Sequence, residues 1–210
     1  MSGYYPINLS LKDQKCVVVG GGSVAERKIV TLMEYNACVF LVSPEVTPGL
    51  ATLAGEGLIH HLARKYERGD VKGALLVIVA TNNTILNKQI ACEAKEHNCL
   101  INVVDCPDLC TFILPSIIRR GDLQITIGTN GVCPALSKKI RKELESLFGD
   151  EYEKFLEIAK IIREKIKEKI KDPGARSALI NKLVYSDLLE LIKENKETEI
   201  HTTLREIIPE

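Results

Sequence analysis

The chain has 210 residues, 28 of them basic and 28 acidic, for a formal net charge of zero. With 45% hydrophobic and 27% charged residues, it can bury a core without disulfide or metal staples. The balanced charge argues against a nucleic-acid binder. No apolar run reaches the roughly 18–20 residues that span a bilayer, so no membrane is expected either.

Met1-Ser2-Gly3-Tyr4-Tyr5-Pro6 lacks the basic and apolar regions of a signal peptide. Cys16-Val17-Val18-Val19 is an unbroken apolar run, as expected of a parallel strand buried on both faces. Gly20-Gly21-Gly22 ends it, and Ser23 to Tyr35 carries Val24, Ile29, Leu32 and Met33 at helical spacing. Cys38 to Val42 reads as a second strand and Pro48 to Ala54 as a short helix. Ile59 to Ala63 reads as a weaker strand and Leu75 to Ala80 as another buried one. Ile85 to His97 then reads as a helix and Leu100 to Val104 as a fifth strand. Strands alternating with helices imply an α/β, Rossmann-like, doubly wound parallel sheet.

The alternation then breaks. Thr111 to Arg119 and Leu123 to Thr129 read as an antiparallel pair with one exposed face. Pro134 opens a helix as an N1 proline, reaching about Phe148. From Asp150 to Lys171 a long helix lines up Phe155, Ile158, Ile162, Ile166 and Ile170 on one stripe. Asp172-Pro173-Gly174 stops it, and two or three shorter helices follow. The expected division is 1–111 as a nucleotide-binding domain, 112–149 as a strand pair plus helix, and 150–210 as a helical domain.

Gly20-x-Gly22-x-x-Ala25 sits between a strand and a helix, the context that a dinucleotide fingerprint requires. Gly20 permits the tight turn, Gly22 lets the backbone approach a pyrophosphate, and Ala25 keeps the helix close to its strand. The free N–H groups and partial positive charge of the helix N-terminus suit phosphates. At the end of the second strand, where an acidic residue usually binds the ribose 2′-hydroxyl, stands Ser43, and Glu45 is the nearest substitute. No arginine follows to clamp a 2′-phosphate, so the cofactor expected is NAD rather than NADP.

Seven cysteines, an odd number without a Cys-x-x-Cys pair, suit free thiols in a reducing cytoplasm. No metal site is expected. Cys106 and Cys110, or Cys92 and Cys99, lack zinc spacing, and His60 and His61 would point to opposite faces of a strand.

Longer motifs are more specific. They begin with Tyr5 to Leu11, Val18 to Lys28, and Ala80-Thr81-Asn82 with Asn87. Asn102-Val103-Val104-Asp105-Cys106-Pro107, Phe112 to Ile118 and Gly131 to Leu136 follow in order. Together they resemble the precorrin-2 dehydrogenase family of siroheme synthesis, some of whose members are also sirohydrochlorin ferrochelatases. The resemblance implies NAD-dependent oxidation of precorrin-2 to sirohydrochlorin by a homodimer that residues 112–149 build. It implies that Asp105 is the catalytic acid or base and that Ser23, Val24, Pro44 and Glu45 lie against NAD, with Thr81 and Asn82 on the same cleft. It also places Thr129 near the tetrapyrrole. Relatives often carry Thr-Asp at Thr81-Asn82, Ser-Pro at Cys133-Pro134 and serine at Gly128.

Asp105 is expected to end a strand on the ligand side of the sheet, where partial desolvation would suit a general base. Asn102, Arg119 and Arg120 are candidates for substrate, the arginines because they suit its carboxylates. Two alternatives stand beside the dehydrogenase. One is a bifunctional enzyme that also inserts Fe²⁺. The other is an NAD-sensing module without catalysis, which would need the glycine turn but not Asp105.

Overall fold

The computed structural model describes residues 3–207, so Met1 and Ser2 of the leader reading lie outside the described residues. The chain divides after Leu114 into two compact units.

In the first unit, β1 (Lys15–Val19), β2 (Cys38–Val42), β3 (His60–Leu62), β4 (Leu76–Val79) and β5 (Leu100–Val103) form one parallel sheet. The strand order is β3-β2-β1-β4-β5, as a doubly wound fold requires. Alternate strand residues face opposite layers. Val17, Val19, Val77, Val79 and Ile101 pack with Ile90, Ala91 and Ala94 of α3 (Thr84–Glu96). Cys16, Val18, Leu41 and Ile78 pack with Ala25, Ile29 and Leu32 of α1 (Ser23–Glu34) and Leu50 of α2 (Pro48–Gly55). Burial on both faces is why the strands read as continuous apolar runs. Burial also pushes the Cys16 thiol up to about 11, with Cys38 adding to it, which leaves that thiol inert.

The turn from β3 to β4 is held by Asp70. Its carboxylate accepts from Arg64 at 2.9 and 2.7 Å and from the Glu67 N–H at 2.9 Å. The Arg64 hydrogen bonds hold the Asp70 carboxyl below its ordinary range, against the opposing effect of partial burial. A depressed carboxyl stabilises the fold fully above the unfolded value near pH 4 and loses that contribution as pH falls through the folded value. Asp70→Asn should therefore cost about 1–2 kcal/mol at pH 7, Arg64 being partly open to solvent. The difference from wild type should shrink as pH falls from the unfolded value through the folded one, as urea melts at pH 7 and at stepwise lower pH would measure.

The second unit holds the antiparallel pair β6 (Ser116–Arg120) and β7 (Leu123–Ile127), then α4 (Pro134–Glu145). The helices α5 (Glu151–Lys169), α6 (Pro173–Val184), α7 (Leu188–Lys193) and α8 (Glu197–Ile207) follow. The expected stripe is the core of this bundle. Ile162 and Ile166 are buried, and Phe155, Ile158 and Ile170 pack around them with Leu183, Leu188 and Ile207.

Two boundaries differ from expectation by three residues or more. Strand β6 begins at Ser116 rather than Thr111, because residues 111–112 are claimed by β5. The Thr111 N–H donates to the Ile101 carbonyl at 2.8 Å, the Thr111 hydroxyl accepts from the Ile101 N–H at 2.8 Å, and Asn102 Nδ2 donates to the Phe112 carbonyl at 3.1 Å. Helix α4 stops at Glu145, three residues early.

Candidate functional site

A cleft of about 1190 Å³ opens at the carboxyl ends of the strands. It lies where the chain order reverses between β1 and β4, the switch point at which doubly wound sheets bind ligands. Three loops line it: Gly20 to Val24 after β1, Ser43 to Thr47 after β2, and Ala80 to Asn83 after β4. Every cofactor candidate is on this wall: Gly20, Gly22, Ser23, Val24, Pro44, Glu45, Thr81 and Asn82.

The three glycines are needed for different reasons. Gly20 has φ +112°, and a Cβ there would meet the Ala80 carbonyl oxygen at 2.2 Å. At Gly21 a Cβ would meet the Glu45 carbonyl oxygen at 2.0 Å; this glycine, the x of the fingerprint, was not singled out by the motif. Gly22 has open space around it and is the N-cap of α1, with no side-chain cap. The helix start is therefore exposed backbone with room for a phosphate pressed against it, and these residues fit a dinucleotide. Ala25 behind it is fully buried.

The flanking motif residues hold the loops. Glu26 reaches the start of α2, where its carboxylate accepts from the Thr47 hydroxyl at 2.6 Å, and Thr47 caps that helix. The Thr81 hydroxyl donates to Asn87 Oδ1 at 2.5 Å, while Asn87 Nδ2 donates to the Thr81 carbonyl at 3.1 Å. Asn87 is buried. Thr81 thus spends its hydroxyl on the loop rather than on the cleft. Asn87→Ala should cost about 1–3 kcal/mol, because the Thr81 groups lose their partner. It should also weaken dinucleotide binding by loosening the wall, which thermal melts and a binding titration would measure together.

Ser43 is buried, and its hydroxyl donates to the Glu45 carbonyl at 2.6 Å, so it closes its own turn. Lys65, Tyr66, Ile85, Leu86 and Gln89 also line the cleft. No motif marks them.

Asp105 stands two residues beyond β5 instead of at its end. The Cys106 N–H donates to the Val103 carbonyl at 3.2 Å, and Asp105 has φ +58°, the third position of a tight turn that favours Gly or Asn. Val79 pairs with Val103, so Asp105 is level with Thr81, one strand over. Its side chain is exposed, so the expected desolvation is absent within this chain. Asn102 is turned to the Phe112 carbonyl and to Cys110 Sγ, a structural use.

In the second unit, Arg119 is exposed, and its Nε donates to the Gly121 carbonyl at 3.3 Å. Its neighbour Arg120 points to the other face of the strand. It donates to the Arg119 and Glu145 carbonyls, and its Nε lies 3.5 Å from Asp150 Oδ1, an ion pair rather than a hydrogen bond. The Thr129 hydroxyl accepts from the Cys133 N–H at 3.2 Å and from Ser137 Oγ at 3.3 Å, holding the entry to α4.

Among the described residues no three His, Cys, Asp or Glu side chains gather as metal ligands. His60 stacks on Phe40, while His61 Nε2 lies 2.9 Å from the Ser43 carbonyl. No helix of the described residues is long and apolar enough to cross a membrane.

Residues 7–116 match a family model described as putative NAD(P)-binding. Residues 120–147 match one described as sirohaem biosynthesis protein, central. A siroheme synthase of Methylobacillus flagellatus is 34% identical over 203 residues, covering 97% of this chain and 44% of that protein. One of Thioalkalivibrio sulfidiphilus is 36% identical over 205 residues, covering 98% and 42%. The chain thus spans less than half the length of these relatives. Among solved structures, "SirC, precorrin-2 dehydrogenase" superimposes with a TM-score of 0.81 at 23% identity, over 97% of this chain and 98% of that one, a likeness of fold. With over half its length inside the NAD(P)-binding model and the sirohaem central segment directly after it, the chain belongs to the siroheme synthase/precorrin-2 dehydrogenase family, of the N-terminal NAD-binding type.

Proposed function

We propose that the chain oxidises precorrin-2 to sirohydrochlorin with NAD. The observation that carries this is the gathering of all eight cofactor candidates on one cleft at the switch point of the sheet. The name of the superimposing dehydrogenase and those of the siroheme synthases support the substrate class.

The oxidation removes a hydride and a proton from the tetrapyrrole. Bound NAD supplies the hydride acceptor. The chain's own residues do the rest. Gly20 to Val24 would seat the pyrophosphate, Pro44 and Glu45 would face the adenosine ribose, and the Thr81–Asn87 pair keeps the β4 loop in shape. Asp105, one strand over, takes the proton on its carboxylate.

We also propose that residues 112–149 are the dimerisation segment of a homodimer, with residues 150–210 as the helical domain. A two-stranded sheet is marginal alone, and Val132, Leu136 and Leu147 of this segment are exposed apolar side chains. Seven free cysteines suit the cytoplasm.

The test is anaerobic: precorrin-2 and NAD⁺ are added to metal-free protein, and NADH and sirohydrochlorin are followed by absorbance. Addition of Fe²⁺ then separates a dedicated dehydrogenase from a bifunctional one. Protein that binds NAD yet forms no NADH would overturn the enzyme reading in favour of a sensing module.

A further inference from the structure

Lys65 and Tyr66 line the cleft although they follow β3, far along the chain from the glycine turn. Register explains it. Val42 pairs with Leu62, the Ser43 N–H donates to the Leu62 carbonyl at 3.3 Å, and His61 reaches the Ser43 carbonyl. The chain leaving β3 therefore runs beside the chain leaving β2, which is where a doubly wound sheet seats the adenosine ribose.

That stretch is anchored on both sides of Lys65. Arg64 is clamped to Asp70 by two hydrogen bonds. The Tyr66 hydroxyl donates to Glu93 Oε2 at 2.7 Å, and the Gly69 N–H donates to Glu93 Oε1 at 2.6 Å. Glu93 is only 3% exposed, so its two donors are fixed with it. Burial, then the bond to Glu93, raises the Tyr66 phenol far above its ordinary value, so it stays a neutral donor. Lys65 itself is exposed, and no described residue pairs with its ammonium.

Glu45 and Lys65 are the two charged residues lining the cleft. The position that normally holds a carboxylate against the ribose 2′-hydroxyl is Ser43, buried and engaged with the Glu45 backbone. A carboxylate there repels a 2′-phosphate; a serine does not. An ammonium carried on this anchored stretch attracts one as a point charge.

We propose that Lys65 is the cofactor-discriminating residue. Held at the ribose end of the cleft by the Arg64–Asp70 and Tyr66–Glu93 anchors, it takes the 2′-phosphate, so the site accepts NADP as well as NAD. Glu45, on the same wall, opposes it and sets the ratio. This rests on the reading of the cleft as a dinucleotide site.

Calorimetric titration of NAD⁺ and NADP⁺ into the full chain tests it without any assay of turnover. The wild type should bind both, with Kd values within about tenfold of each other, the scale of one ionic contact. Lys65→Ala should weaken NADP⁺ about fivefold to tenfold and leave NAD⁺ within about twofold, and Lys65→Glu should widen the gap. Glu45→Gln should shift the ratio of the two Kd values toward NADP⁺. NADP⁺ binding more than about 100-fold weaker than NAD⁺ in the wild type, or equal weakening of both by Lys65→Ala, overturns the role of Lys65 and leaves the dinucleotide site standing. Failure of both nucleotides to bind overturns the two together.

Discussion

Replacing Asp105 with asparagine should cut precorrin-2 oxidation by about 10²–10⁴-fold, the usual worth of a general base, while dinucleotide affinity and melting temperature stay at wild-type values. The choice of variant follows from the backbone. Asp105 has φ +58°, in a region that asparagine tolerates and alanine resists by about 1–2 kcal/mol. Asp105→Ala should therefore lose activity and some stability together, and Asp105→Asn activity alone. The comparison of NADH formation with NAD⁺ titration and thermal melts separates the two effects. Undiminished turnover in Asp105→Asn would remove the residue from the mechanism. The exposure of Asp105 suits the proposed role, in which its carboxylate would be open to a bulky substrate.

The glycine turn should split into two kinds of failure. Gly20→Ala places a Cβ 2.2 Å from a backbone oxygen at a φ of +112°, so backbone must move. Overpacking of about 1–3 kcal/mol adds to strain of about 1–2 kcal/mol, and the variant should melt well below wild type. Gly22→Ala meets nothing in the protein and should still fold, at a cost of about 0.5–1 kcal/mol because alanine is a poorer N-cap than glycine. Its methyl group would occupy the space where a pyrophosphate must press on the helix start, so dinucleotide affinity should fall at least about tenfold. Melts and titrations on both variants would show it. Unaltered binding by Gly22→Ala would mean that phosphate is held elsewhere.

Much of the first unit was legible because its signals are local. Cys16 to Val19 are apolar without a break because both faces of that strand are covered, and Ile29 and Leu32 recur at the period of a helix buried on one side. Glycine 20 is recognisable because a positive φ leaves few alternatives. The stripe from Phe155 to Ile170 is legible for the same reason as α1, one face of one helix. What the local pattern left out was decided by pairing. Thr111 looks like the start of a strand by its neighbours, yet its hydrogen bonds go to Ile101. Asn102 is a substrate candidate by its motif, and the structure adds that its amide nitrogen donates to the Phe112 carbonyl.

By itself, then, the amino-acid sequence determined the order of strands and helices, the phosphate turn and the apolar stripe of the helical unit, because each depends on residues within one or two turns of one another. Only the tertiary structure decided that Gly21 must be a glycine, that Ser43 is closed on Glu45, and that Lys65 and Tyr66 reach the cleft. Those facts depend on which strands lie side by side and in what register, a property of the sheet that no local pattern records.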